Sequence, residues 1–314
     1  MRLRTSSINS EHKNEHESEH ENAHKDERKA LVFALVAVLL WSTVATGFKL
    51  GLESLTPSQL LFAGSCISTI VFVIAAVRKG WPRHGVNLRE GALFGLLNPA
   101  LYYLVLFAAY DRLPAQIAQP LNYTWAIMLA ILAVPVLKQR LSGKTAAGIA
   151  LSYVGVVVLL TQGEFDRLPQ LDWTGVALAL ASTVLWALYW LFNVRSTTPP
   201  AALMATSFLI ATPILAIVCA AGPGLPPLNL QTLFYGSWVG LIEMGITFLL
   251  WQRALRLTDH AARLGQLIFL SPFLSLLMIG AVLGETIHPT SWLGLAIIVL
   301  GLLTTGRPET ESAS

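Results

Sequence analysis

The chain has 314 residues, 54% of them hydrophobic and 12% charged, with a mean hydropathy of +0.60. A soluble domain carries roughly 25% charged residues, so too little polar surface is present to clothe a water-soluble globule. The net charge of +3 is too small and dispersed for a nucleic-acid binder. Cys66 and Cys219, both in apolar runs, form neither a CxxC motif nor a disulfide framework.

Seven of the eighteen acidic residues precede Ala30. Residues 1–29 are rich in Glu, His, Lys, Asn and Ser and bury too little apolar area to fold, so a disordered cytoplasmic tail is expected. His12, His16, His20 and His24 recur every four residues. Two readings fit them, a stripe open to a transition metal or a solvated tail with accidental periodicity; no metal or cofactor is assigned. The apolar run from Ala30 is too long for a cleavable signal core and reads as a retained span.

From there, apolar runs alternate with short polar breaks. The first five spans are expected near Ala30–Leu50, Ser58–Val77, Gly91–Tyr110, Ala115–Leu137 and Thr145–Thr161. Five more follow near Trp173–Asn193, Ala201–Ala221, Leu233–Gln252, Leu264–Leu283 and Thr290–Thr305. About 20 residues are needed to cross the hydrocarbon as a helix, and only the fifth and tenth runs fall short. With the N-terminus inside, the inward breaks and C-terminus carry twelve basic residues and the outward breaks three, Lys49, Arg112 and Arg167. That bias puts both termini, with a tail at 307–314, in the cytoplasm.

The second half repeats the first. At an offset of 145, Trp41 falls on Trp186, Asn98 on Glu243, Tyr102 on Thr247 and Ala109 on Ala254. At 146, Gln139 meets Glu285, Gly148 meets Gly294 and Gly155 meets Gly301. Each unit, 30–162 and 173–306, holds an odd number of spans, so the second must enter the membrane from the opposite side. The expected fold is all-α integral membrane, with ten transmembrane helices as two inverted five-helix repeats.

Several stretches carry a family likeness: Leu39-Leu-Trp-Ser-Thr43, the run from Leu101 to Ala115, Leu121-Asn-Tyr-Thr-Trp125, Glu243-Met-Gly-Ile-Thr-Phe-Leu-Leu-Trp251, Leu270-Ser-Pro-Phe-Leu-Ser275 and Val282-Leu-Gly-Glu285. On these the chain resembles an EamA-type permease of the drug/metabolite transporter superfamily, from Ala30 to Gly306. The resemblance implies a bacterial inner-membrane protein with a central cavity that often serves metabolite or amino-acid export. The family commonly has a glutamate after span four; this sequence has Gln139 there and keeps Glu285 in the second copy.

Glu243 is the only carboxylate near the middle of a span. An isolated carboxylate in lipid is costly, so it must be protonated, paired or facing a cavity. Proton binding during transport and a neutral packing hydrogen bond are the two readings. Gln116, Gln119, Asn122 and Tyr123 form one helical stripe, Glu243, Thr247 and Trp251 another, and Asn98, Tyr102 and Gln266 add polar groups. Such faces should turn inward, either to bind solute or to bond between helices. Trp41 and Trp186, equivalent and mid-span, are further candidates. Lys49 reads as an outer-end snorkelling residue, and Pro120, Pro135, Pro213 and Pro272 as sites of bends.

The expected function is secondary active export of small amphipathic metabolites such as amino acids, by alternating access at the repeat interface. Its partners are a small-molecule substrate and the bilayer, with protons as candidate coupling ions and no nucleic acid. A channel or non-transporting scaffold is the alternative. Nothing signals an enzyme: no Walker motif, His cluster or paired intramembrane carboxylates.

Overall fold

The computed structural model describes residues 26–80, 87–138, 142–162, 171–193, 195–258 and 264–305. The His-rich stretch, Gln139 and the tail at 307–314 lie outside these. Among the described residues there are ten long apolar helices and no strand. They are α1 Asp26–Leu52, α2 Pro57–Arg78, α3 Leu88–Arg112, α4 Ala115–Leu137, α5 Gly143–Thr161, α6 Trp173–Asn193, α7 Pro200–Ala221, α8 Leu230–Leu257, α9 Gln266–Leu283 and α10 Pro289–Thr305. Nine reach spanning length and α10 is the shorter one. Helix α1 starts at Asp26, inside the expected disordered tail. Lys29 pairs with Asp26 at 2.9 Å, and Thr258 Oγ1 donates to the Glu27 carboxylate at 2.9 Å, which gives this polar turn partners.

Helix ends follow the capping chemistry of the sequence. Thr56 and Gln59 form a capping box around Pro57 at the start of α2. Asn87, Ser142 and Asn229 cap α3, α5 and α8 with side-chain oxygens.

Two antiparallel helix pairs hold the halves together, and each pair meets through equivalent residues. In α2–α7 the hydroxyls of Thr69 and Thr212 are 2.8 Å apart, and Phe72 packs on Phe208 with ring centroids 5.1 Å apart. Residue number rises on one helix as it falls on the other. In α5–α10, Ser152 Oγ donates to Ile298 O at 3.0 Å, Gly155 faces Gly294, and Gly148 faces Gly301. Residues that touch their own equivalents lie on a pseudo-two-fold axis in the membrane plane. The contacts of α2 with α8 and α3 with α7 repeat the relation. Gly236 meets Ala63 and Gly240 meets Gly64, as Gly91 meets Thr206 and Gly95 meets Ser207. The halves are thus inverted copies, each lending its second helix to the third helix of the other.

Between helices in lipid the hydrophobic effect gives little attraction, so close backbone approach and interhelical hydrogen bonds must hold the pairs. A Cβ on Gly155 would lie 2.6 Å from Gly294 O and 2.7 Å from Ile298 N. Substituting Gly155→Leu should therefore cost about 1–3 kcal/mol, read as a lowered thermal unfolding midpoint of the detergent-purified protein. A midpoint equal to wild type would mean that α5 and α10 are not in this close contact.

Candidate functional site

Helices α2, α5 and α7 form the outer scaffold, and the others surround one central cavity of about 710 Å³. Both third helices of the repeats are interrupted at mid-span. In α3, Asn98 takes φ −146° and ψ 116° ahead of Pro99, within a π-helical turn over Leu96–Leu101. In α8 a π-helical turn over Trp238–Glu243 ends at Gly245, with φ −112° and ψ −96°. Proline removes a donor and glycine tolerates the unusual backbone, so the helices lose register at equivalent depths. The expected bend sites at Pro120, Pro135, Pro213 and Pro272 all lie inside helical segments, where each proline removes a backbone donor. A further break, in α3, falls at Asn98–Pro99, which the sequence reading passed over.

Of the residues expected to meet solute, Trp41, Tyr102, Gln119, Asn122, Tyr123, Trp186, Glu243, Trp251 and Gln266 line the cavity. Asn98 and Thr247 do not. Both are buried behind its wall, and Asn98 Oδ1 and Thr247 Oγ1 have no hydrogen-bond partner there. Gln116 belongs to the closed end described below. Glu243 Oε1 accepts from Tyr103 Oη at 2.9 Å. Asn122 Nδ2 donates to Ser182 Oγ at 3.2 Å and to Tyr102 Oη at 3.3 Å, tying α4 to α6 and α3.

Aromatic and aliphatic side chains share the rest of the wall, and ring contacts tie its aromatic members to each other and to Tyr189 behind them. Tyr102 stacks on Trp186 at 4.5 Å, Trp186 on Tyr189 at 5.4 Å, and Trp41 meets Phe248 at 5.7 Å and Trp251 at 5.6 Å. The sequence reading missed Tyr103 and Ser182. Tyr103 neighbours Tyr102 but holds a residue from the other repeat, a contact that helical spacing within one half does not encode.

The two ends of the cavity differ. At one end, Gln266 and Leu303 line it and are exposed. At the other, beyond Phe48 and Tyr110, a set of polar bonds closes the bundle. The Glu285 carboxylate accepts from the backbone N–H groups of Ala115 and Gln116, at 2.9 and 3.2 Å, capping the start of α4. Gln116 Nε2 donates to Thr286 O, while its Oε1 accepts from His288 N and Ser291 Oγ. Lys49, expected to snorkel outward, instead donates to Tyr110 O at 2.8 Å and Leu113 O at 3.0 Å, satisfying the end of α3. Arg112 pairs with Asp172 at 3.0 Å, and that hydrogen bond, with the Gly175 amide, holds the Asp172 carboxyl below the ordinary range.

A family profile for EamA-like transporters matches the chain twice, over residues 28–161 and 173–307. The chain belongs to the EamA-like transporter family. It is 28% identical over 286 residues to the uncharacterized transporter YwfM of Bacillus subtilis, covering 87% of this chain and 92% of YwfM. It is 26% identical over 285 residues to a probable amino-acid metabolite efflux pump of Escherichia coli, covering 86% and 92%. A crystal structure of a protein 23% identical superposes with a TM-score of 0.60, over 88% of this chain and 97% of that one, a likeness of fold. The EamA-like chain is therefore a multi-pass membrane transporter.

The cap on α4 offers a direct test of this transporter's closed end. Glu285→Ala should lower its thermal stability by about 0.5–2 kcal/mol, as loss of a helix cap does. Glu285→Gln should lose less, because an amide oxygen still accepts from the exposed N–H groups. Equal midpoints for wild type and Glu285→Ala would contradict the capping role.

Proposed function

We propose that this EamA-like transporter is a secondary active exporter of small amphipathic metabolites, amino acids among them, working by alternating access. The observation that carries the reading is one cavity at the repeat interface that reaches exposed residues at one end and is bonded shut at the other. A cavity reached from a single side is what a transporter needs and a continuous pore lacks. Interrupted helices joined across the repeat interface, as α3 and α8 are by the Tyr103–Glu243 bond, are where inverted-repeat transporters bind their cargo. The probable efflux pump of Escherichia coli supports the direction and the solute class.

The basic residues Lys138, Lys144, Arg253 and Arg256, at the ends of α4, α5 and α8 on the side of the exposed mouth, support a reading in which that end and both termini face the cytoplasm of a bacterial inner membrane. In this reading the cavity loads from the cytoplasm. Glu285, Gln116, Lys49 and the Arg112–Asp172 pair must part to release solute on the other side. The mixed wall of amides, hydroxyls and rings suits a solute with both hydrogen-bonding and apolar parts.

Glu243 is the proposed coupling group. It lies at the interruption of α8, holds one tyrosine hydroxyl and lines the cavity. A carboxylate in that position binds a proton in one state and releases it in the other. In sealed vesicles with an imposed pH gradient, Glu243→Gln should abolish proton-driven accumulation, leaving only equilibration of solute. Accumulation equal to wild type would remove Glu243 from coupling.

A further inference from the structure

The charge balance of the cavity wall goes further than its amphipathic character and, resting on the transport reading above, narrows the substrate class. Among the described residues that line the cavity, Glu243 is the one carboxylate, and no lysine, arginine or histidine is present. Lys49 is held by two backbone carbonyls. Arg256 lines a separate cavity of about 260 Å³, for which Trp190, Phe248 and Trp251 form a shared wall.

Among the described residues, one of the two Glu243 oxygens accepts a hydrogen bond. Oε1 takes the Tyr103 hydroxyl, and among the described residues no donor is found on Oε2. An ionised carboxylate has about four acceptor sites, so most of its capacity is directed at the cavity. Gln119, also on the wall and 4% exposed, has an unpaired Oε1. Two open acceptors, Glu243 Oε2 and Gln119 Oε1, stand on a wall that also carries the unpaired Trp190 Nε1 donor, but the one charge among its described residues is negative, which an ammonium group, with donors and no acceptor, satisfies. From the carboxylate, ring contacts lead away in sequence: Tyr103 on Tyr102 at 4.6 Å, Tyr102 on Trp186 at 4.5 Å, and Trp186 on Phe248 at 6.1 Å. Ring faces attract cations and accept flat apolar bodies. A carboxylate-bearing solute would instead place a second negative charge beside Glu243, and the described residues lining the cavity offer no base to offset it.

We infer that the cavity selects organic cations, an amine or quaternary ammonium head on a flat apolar body, with the head at Glu243 and the body among the rings. Amines are then preferred over the amino acids of the same skeleton, whose carboxylate finds no base among the described lining residues.

The test is a matched series binding to the purified full-length protein at neutral pH, followed by tryptophan fluorescence and calorimetry. The probes are phenethylamine, phenethyl alcohol, hydrocinnamate and phenylalanine, which share a ring and vary in charge. Phenethylamine should bind roughly tenfold or more tighter than the alcohol and hydrocinnamate, with phenylalanine weaker than the amine. In Glu243→Gln the amine should fall to the level of the alcohol while the alcohol is unchanged. Binding of hydrocinnamate, phenylalanine or the alcohol as tight as the amine to the wild-type protein would overturn the inference, whether or not the variant folds. Such charge-blind binding leaves the transport reading standing, whereas failure of every probe to bind would overturn the inference and count against a solute cavity altogether.

Discussion

The structure depends on residues that meet their own counterparts. In a bilayer, burying a leucine against another helix gains little over leaving it against acyl chains, so the fold needs contacts that lipid cannot imitate. The Thr69–Thr212 hydroxyl pair and the Gly155–Gly294 approach are such contacts. Each lies where the two halves cross: the threonines are each other's counterparts, and the Gly155–Gly294 approach recurs under the inversion as Gly148–Gly301. A duplicated sequence satisfies this at no extra cost, because a surface that fits itself once fits again after inversion.

What lies off the axis is free to diverge, and it has. Glu243 stands where the first repeat has Asn98. The polar stripe of Gln119, Asn122 and Tyr123 on α4 falls opposite Gly265, Ile268 and Phe269 on α9. Symmetry thus supplies a scaffold that two states can share, while asymmetry supplies a cavity with one charge among its described lining residues. The ends diverge too, since Glu285 caps α4 whereas its counterpart in the first repeat is Gln139. The scaffold and the chemistry reside on different helices, α2, α5, α7 and most of α10 against α1, α3, α4, α6, α8 and α9.

Much of the fold was legible in the sequence because lipid imposes a length and hydropathy rule that each span obeys separately. The repeat was legible because small residues at helix crossings tolerate no substitution in size, so glycines kept their spacing. The offset shifts to 143 at Thr69 and Thr212, through a difference in loop length that hid the α2–α7 equivalence. For the site, the rule that polar faces avoid lipid selected residues that line the cavity, from Gln119 to Gln266. It also selected Asn98 and Thr247, which avoid lipid equally well inside the protein wall; burial and cavity exposure look alike in one dimension. The Tyr103–Glu243 bond joins the halves, and Lys49 turns back to cap a neighbouring helix. Both depend on how helices are rotated against each other, which no single span specifies.

The central claim is that the halves enter the membrane from opposite sides. With Cys66 and Cys219 replaced by alanine, single cysteines at Lys138 and at His288 place a label on the α4–α5 connection and on the α9–α10 turn. A membrane-impermeant thiol reagent applied to intact cells should modify the cysteine at position 288 and spare that at 138, and inside-out vesicles should reverse the pattern. Labelling of both positions from the same side would contradict the inverted arrangement.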